Sequence, residues 1–266
     1  VKVGAVPTVL SPHNPRIERV RDLRTPRVRR ERGRFAFEGP TLLAEAQRSG
    51  IAIEELYGTD TALGAHAALV AELEAAGTPV FAVPDRTLAR LSDLETPPGL
   101  LAVGITPAGD LATILERPGA VLLLAGINDP GNAGTLLRSA EAFGAAGVLF
   151  GRGGVDPFAP KVVRAAMGSL FRLPVAVVEA EELLLAAGAA GRPIIAAALD
   201  GEPLAGATLP PDAILAVGNE RHGVGGFLPR WDRAVRIEQA TVTESLNAAV
   251  AGSILLYAFS LGKGQK

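Results

Sequence analysis

Three short polar clusters hold the residue types from which a site could be made. The first, Asn128-Asp-Pro-Gly-Asn-Ala-Gly-Thr-Leu-Leu-Arg138, follows the apolar run Val121–Ala125 and opens a helix. Asn132 is placed to cap that helix. Arg138 lies about two turns in, among Leu136, Leu137, Ala140 and Phe143. An arginine with such neighbours needs water, a phosphate or a carboxylate as partner, so the first cluster points to anion chemistry. The second, Val217-Gly-Asn-Glu-Arg-His-Gly223, again follows an apolar run. Its glycines let the backbone approach a ligand closely, and Glu220 adds a carboxylate. The third, Thr243-Glu-Ser-Leu-Asn-Ala-Ala-Val-Ala251, sets Ser245 and Asn247 at the mouth of a very apolar helix. Ser245 reads as a cap. Asn247 inside a first turn disfavours the helix and suits a specific hydrogen-bonding task. Taken singly, each cluster also fits a plain cap or a polar loop.

Other chemistries are excluded by residue type or spacing. The chain has no cysteine, which removes disulfides, thiolate zinc sites, cysteine nucleophiles and any route through a cysteine adduct. His13, His66 and His222 are scattered without ligand spacing, so no built-in metal is expected. Gly126 and Gly131 have the spacing of a phosphate loop, but Asn132 and Ala133 stand where Lys and Ser or Thr are needed. No G-x-G-x-x-G follows a predicted strand, so a dinucleotide-dependent oxidoreductase is a poor fit.

The elements that must position these clusters alternate between strand and helix. In the C-terminal half, strands are expected at Val121–Ala125, Val148–Phe150, Leu173–Val178, Ile194–Ala198, Ile214–Val217 and Ala234–Ile237. Helices are expected at Ala133–Phe143, Lys161–Met167, Glu181–Ala187 and Ser245–Ser260. Continuous apolar strands separated by helices imply a mostly parallel sheet covered on both faces. A smaller α/β unit is expected before it, with strands at Phe35–Glu38, Ile51–Tyr57, Val80–Val83 and Leu100–Ile105. Its helices begin near Pro40, Ala62 and Thr87. The predicted organisation is an arm over 1–34, the small domain over 35–106, a connection over 107–118 and the large domain over 119–266.

Charge is unevenly spread. The 266-residue chain has a net charge of −2, yet residues 1–34 hold ten Lys and Arg against three acids, a local +7, and the remainder is −9. Nine arginines fall within residues 16–34. Such an arm attracts phosphate, and Arg27, Arg29, Arg30, Arg32 and Arg34 are candidate RNA contacts. The sequence has 48% hydrophobic residues, enough for a real core, but no membrane-length apolar run and no signal-peptide pattern. The cytoplasm is the expected compartment.

Together and in this order, the three clusters resemble the signature motifs of the SpoU/TrmH family of RNA ribose 2′-O-methyltransferases, of the SPOUT class. Arg34-Phe-Ala-Phe-Glu-Gly-Pro40 through Gly99-Leu-Leu-Ala-Val103 resembles the family's L30e-like substrate-binding domain. Lys161-Val-Val-Arg-Ala-Ala-Met-Gly-Ser-Leu-Phe-Arg-Leu-Pro174 matches a stretch between the first two motifs. The resemblance implies a C-terminal domain tied in a deep trefoil knot, an exception to the no-threading rule, and S-adenosylmethionine as cofactor. It places cofactor contacts at Gly218, Ile237 and Leu246, with Asn219 nearby. It puts Arg138 at the ribose hydroxyl and makes Asn132, Glu220, Ser245 and Asn247 orienting residues. It also implies a homodimer with the active site at the subunit interface. Ribosomal RNA, 23S above all, is the expected substrate. A tRNA 2′-O-methyltransferase and a non-catalytic RNA- or ribosome-binding protein of the same fold are the alternatives. Many members have Ile-Pro-Met where this chain has Ile237-Glu-Gln239.

Overall fold

The computed structural model of the chain describes residues 8–219, 221–240 and 246–263. Two compact units emerge: the chain up to Pro107 together with Phe158–Arg164, and Ala108–Pro157 with the chain from Ala165 onward.

In the first unit β1 (Thr8–Val9) leads to α1 (Pro15–Asp22), which starts where Asn14 Oδ1 accepts from Arg16 N at 2.9 Å. Ile17, Val20 and Leu23 recur every third residue, so one stripe is apolar and joins the core. Next is α2 (Pro26–Arg32). Residues 8–34 are thus not a free polar arm. The arginines mask a helical period that the apolar residues still carry.

Arg29 shows what the charge count conceals. It is 3% exposed, and its Nη1 donates to the carbonyls of Leu23 at 2.7 Å and Arg24 at 2.9 Å. As an RNA contact, Arg29 is corrected by this burial: its guanidinium faces the backbone that joins α1 to α2. Replacing Arg29 with Met should leave those buried carbonyls without this donor and cost about 2–3 kcal/mol, read by urea unfolding. A cost under about 0.5 kcal/mol, the range of ordinary surface changes, would rule out that structural role.

The unit continues through β2 (Arg34–Glu38), α3 (Pro40–Arg48), β3 (Ile53–Gly58), α4 (Asp60–Ala65), α5 (Ala67–Ala75), β4 (Val80–Ala82), α6 (Asp85–Leu91) and β5 (Leu100–Ile105). The sheet runs β1-β4-β3-β5-β2, with β5 antiparallel to both of its neighbours. The single helix expected from Ala62 is two, α4 and α5, and it starts earlier because Thr59 Oγ1 accepts from Ala62 N at 3.2 Å.

The second unit begins with α7 (Leu111–Glu116), inside the expected connection, and Leu111, Ile114 and Leu115 join its core. Then come β6 (Val121–Ala125), α8 (Pro130–Ala142), β7 (Gly147–Gly151), α9 (Pro160–Ala165), α10 (Ser169–Arg172), β8 (Val175–Val178), α11 (Ala180–Ala189), β9 (Ile194–Pro203), β10 (Ile214–Gly218), β11 (Arg233–Arg236) and α12 (Ala248–Lys263). All strand pairs in the order β11-β9-β10-β6-β7-β8 are parallel. Every residue of β6 is buried, as a central strand covered on both faces requires. The order reverses between β6 and β10, and parallel sheets bind ligands outside the strand ends at such a switch point.

Candidate functional site

Two helix starts meet near the first and third clusters. Asp129, not Asn132, caps α8: its Oδ1 accepts from Asn132 N at 2.7 Å, with Pro130 in the first turn. Proline's fixed φ suits that position, so the helix begins earlier than its apolar period suggests. Asn132 is left with a free hand for another task, and its Oδ1 accepts from Asn247 Nδ2 at 3.0 Å.

Asn247 is itself the cap of α12, which starts after it rather than at Ser245. Its Oδ1 accepts from Ala249 N at 2.9 Å and Val250 N at 3.2 Å. The side chain therefore caps one helix with its oxygen and reaches the other with its amide. Further along the same pair, Ser139 Oγ lies 2.7 Å from Ser253 Oγ, and the rings of Phe143 and Tyr257 are 5.6 Å apart. A Cβ at Gly252 would run into Leu136 and come within 3.1 Å of Val217 Cγ2, so glycine allows α12 to lie close on α8 and β10. Replacing Asn247 with Ala should cost about 1 kcal/mol, a Tm drop of about 2–4 °C, whereas Asn247→Asp keeps the cap and loses only the bridge. An Asn247→Ala protein that melts with the wild type would show that the cap does not anchor α12.

Arg138 stands on the exposed side of α8 and has no hydrogen-bond or ion-pair partner among the described residues. The apolar neighbours at Leu136, Leu137 and Ala140 are turned the other way, into the core. The partner it calls for is thus external, not one buried with it.

The second cluster forms a tight loop at the end of β10. Asn219 organises it: Oδ1 accepts from Arg221 N at 3.0 Å and His222 N at 2.8 Å, and Nδ2 donates to Gly126 O at 3.2 Å. The loop after β10 is thereby tied to the loop after β6, at the switch point. Gly223 N closes the turn on Asn219 O at 3.0 Å. A Cβ at Gly218 would fall inside the backbone of Gly223 and Val224. No other residue fits that cradle.

Beside the cradle lies a cavity of about 420 Å³ at the carboxyl ends of β9 and β10. Gly218, Asn219, Ile237 and Leu246 all line it, and Asn132, Arg138 and Asn247 do not. Glu220 and Ser245 lie outside the described residues. The opposite wall comprises Ala197, Ala198, Leu199 and Asp200 of β9, with Trp231 and Arg236. Sequence reasoning missed these. The available signal was that Asp200 follows an apolar strand just as Gly218 does, and both ends must share one edge of a parallel sheet.

The expected basic residues are scattered in accessibility. Arg27 and Arg30 are exposed, Arg27 pairing with Glu31 at 2.6 Å. Arg32 pairs with Asp22 at 3.1 Å and Arg34 with Glu54 at 2.8 Å. Among the described residues there is no metal-binding group of three or more His, Cys, Asp or Glu, and no helix long and apolar enough to cross a membrane.

A wholly parallel α/β unit with a glycine cradle at its switch point, preceded by a smaller mixed α/β unit, defines a ligand-binding transferase domain carried with a separate substrate domain. The chain belongs to the SpoU rRNA Methylase family, whose model matches residues 119–257, and residues 14–102 match an MRM3-like substrate binding domain. It is 31% identical over 249 residues to the 23S rRNA (guanosine(2553)-2′-O)-methyltransferase RlmP of Bacillus subtilis, covering 93% of this chain and 96% of that protein. The SpoU methyltransferase AviRb from Streptomyces viridochromogenes, in complex with AdoMet, superposes with a TM-score of 0.84. That comparison has 28% identity and covers 95% of this chain and 99% of the other. An AdoMet-bound rRNA methyltransferase from Sinorhizobium meliloti gives a TM-score of 0.83 at 28% identity, covering 95% and 97%. The expected family and the two-domain α/β architecture hold.

Proposed function

We propose that the protein methylates a ribose 2′-hydroxyl of 23S rRNA, with S-adenosylmethionine as donor. The observation that carries this is the Gly218 cradle: a side chain is excluded there by backbone, beside a cavity of about 420 Å³ at the switch point of a parallel sheet. The named relatives act on 23S rRNA or were solved with AdoMet, which supports both substrate and donor.

S-adenosylmethionine supplies, when bound, a methyl carbon activated by a sulfonium. Gly218, Asn219, Ile237 and Leu246 would hold it, largely through backbone. Glu238-Gln239 replaces the Pro-Met common in the family, and a backbone contact at Ile237 does not need that proline. Arg138 aligns the ribose hydroxyl and binds the adjacent phosphate. Arginine as a residue type gives up its proton only above about pH 12, so we assign proton removal to Arg138 and the RNA phosphate jointly. Asn132 and Asn247 orient the ribose side of the site, and Glu220 and Ser245 complete it.

A homodimer belongs to this reading. Arg138 lies outside the lining of the cavity, and on α12 Val250, Tyr257 and Leu261 are 46%, 51% and 55% exposed along one face. A second copy would cover that face; sedimentation at micromolar concentration tests it, and a monomer would refute it. A trefoil knot is supported by the strand order, and a crystal structure tracing residues 241–245 tests it. The expected compartment is the cytoplasm, where the ribosome is, and fractionation tests that.

The deciding experiment incubates unmethylated 23S rRNA with the protein and methyl-labelled S-adenosylmethionine, followed by alkaline hydrolysis. A 2′-O-methyl group blocks attack on the neighbouring phosphodiester, so the label should emerge in an alkali-resistant dinucleotide. Label in mononucleotides would mean base methylation. Saturable RNA binding without transfer would favour the non-catalytic RNA-binding alternative, and label in tRNA alone the tRNA alternative.

A further inference from the structure

A second cavity, of about 400 Å³, lies wholly within the first unit, between α1 and the sheet. Its size falls in the ~300–1,000 Å³ range of ligand pockets. The floor is apolar, made by Val20 and Leu23 of α1 and Val103 of β5. Arg19, Arg32 and Arg34 surround it, with Glu54 and Glu55 of β3 in the wall, so three cations face two carboxylates.

These charged groups are not equivalent. Glu54 takes a two-pronged bond from Arg34, Nε to Oε2 at 2.8 Å and Nη2 to Oε1 at 3.0 Å. That bond holds the Glu54 carboxyl below its ordinary range and fixes the Arg34 plane. Arg32 Nη1 donates to the Arg19 carbonyl at 3.0 Å, which holds Arg32 at the same rim. Arg19 is exposed, and its guanidinium has no partner among the described residues. The cavity therefore offers a greasy floor, a rigid guanidinium plane, carboxylate acceptors with spare lone pairs and one unengaged cation at the mouth.

We propose that this cleft receives an unstacked nucleotide of the RNA substrate, its base on the apolar floor and its phosphate on Arg19. The inference rests on the RNA reading above and deepens it. Proteins that read RNA by sequence take up splayed-out bases, stack them on aromatic rings or guanidinium planes, and bond their edges. Here the edge acceptors are Glu54 and Glu55. Adenine and cytosine carry an exocyclic amine to donate to them, and uracil does not, so uracil is the disfavoured occupant.

The test uses the full chain and fluorescein-labelled oligo(A), oligo(C) and oligo(U) hexaribonucleotides, read by anisotropy across a salt series. Oligo(A) and oligo(C) should bind at least about threefold tighter than oligo(U). Arg19→Glu should weaken oligo(A) about tenfold and reduce the salt slope by about one; Arg19→Gln should do so less steeply and guards against misfolding of the reversal. Arg48→Glu, the same charge change at an exposed position of α3 that does not line the cleft, should stay within about twofold. Equal losses for Arg19→Glu and Arg48→Glu, or no preference against oligo(U), would overturn the proposal. Methylation of 23S rRNA by the same wild-type preparation separates the two readings. Transfer without cleft-dependent binding sinks the cleft alone, and cleft-dependent binding without transfer sinks the transferase.

Discussion

Gly218→Ala is expected to lower the affinity for S-adenosylmethionine by more than about 100-fold and to take methyl transfer below detection. The reason is local and steric. The loop after β10 turns back so tightly that a single methyl group at residue 218 would occupy the space of the Gly223 and Val224 backbone. Backbone cannot rotate away as a long side chain can. The turn would have to open, and the Asn219 bonds to Arg221, His222 and Gly126 would go with it. Calorimetry of cofactor binding is the measurement. Gly188→Ala is the control: it lies in α11, where a Cβ meets nothing within 4 Å, so helix propensity should make that protein slightly more stable, by up to ~1 kcal/mol. Binding by Gly218→Ala within threefold of the wild type would remove the cradle from the cofactor site.

Arg138→Ala should slow transfer by about 10²–10⁴-fold, the range for losing a group that handles the proton, and leave cofactor affinity as it was. The separation follows from position. Arg138 does not line the cavity, so the cofactor loses no contact. Its guanidinium engages no described residue, so removal should change stability by no more than about 0.5 kcal/mol. Single-turnover rates with saturating cofactor and 23S rRNA read the effect directly. Arg138→Lys should fall between, since lysine keeps the charge but not the planar fork. Wild-type turnover by Arg138→Ala would refute its placement at the ribose.

Much of the second unit is legible in the sequence because its signals are local. Val121–Ala125 is a five-residue apolar run and becomes the fully buried β6. Gly218 follows such a run and lies at a strand end. Signals failed where a long-range or competing contact decides. Arg29 reads as a phosphate ligand by composition, yet it is buried because the turn after α1 presents two carbonyls to it. Asn132 reads as a cap, but Asp129 ahead of Pro130 is the better one, and only the fold shows that Asn132 is then available to Asn247. The β9 wall of the cavity was invisible for a similar reason. Leu199 and Asp200 form no motif, and they meet Gly218 only because β9 and β10 are neighbours in the sheet.

The central pairing of that sheet also sets a timetable. β6 pairs with β10, beginning with Val121 against Ile214, about ninety residues further along the chain. Synthesis proceeds at roughly 5–20 residues per second, so during translation β6 waits about 5–20 s for that neighbour to leave the ribosome. For those seconds one edge of the most apolar strand in the protein is open, a template for pairing with another chain. The protein's yield should therefore depend on translation speed and chaperone supply more than on the stability of the finished fold.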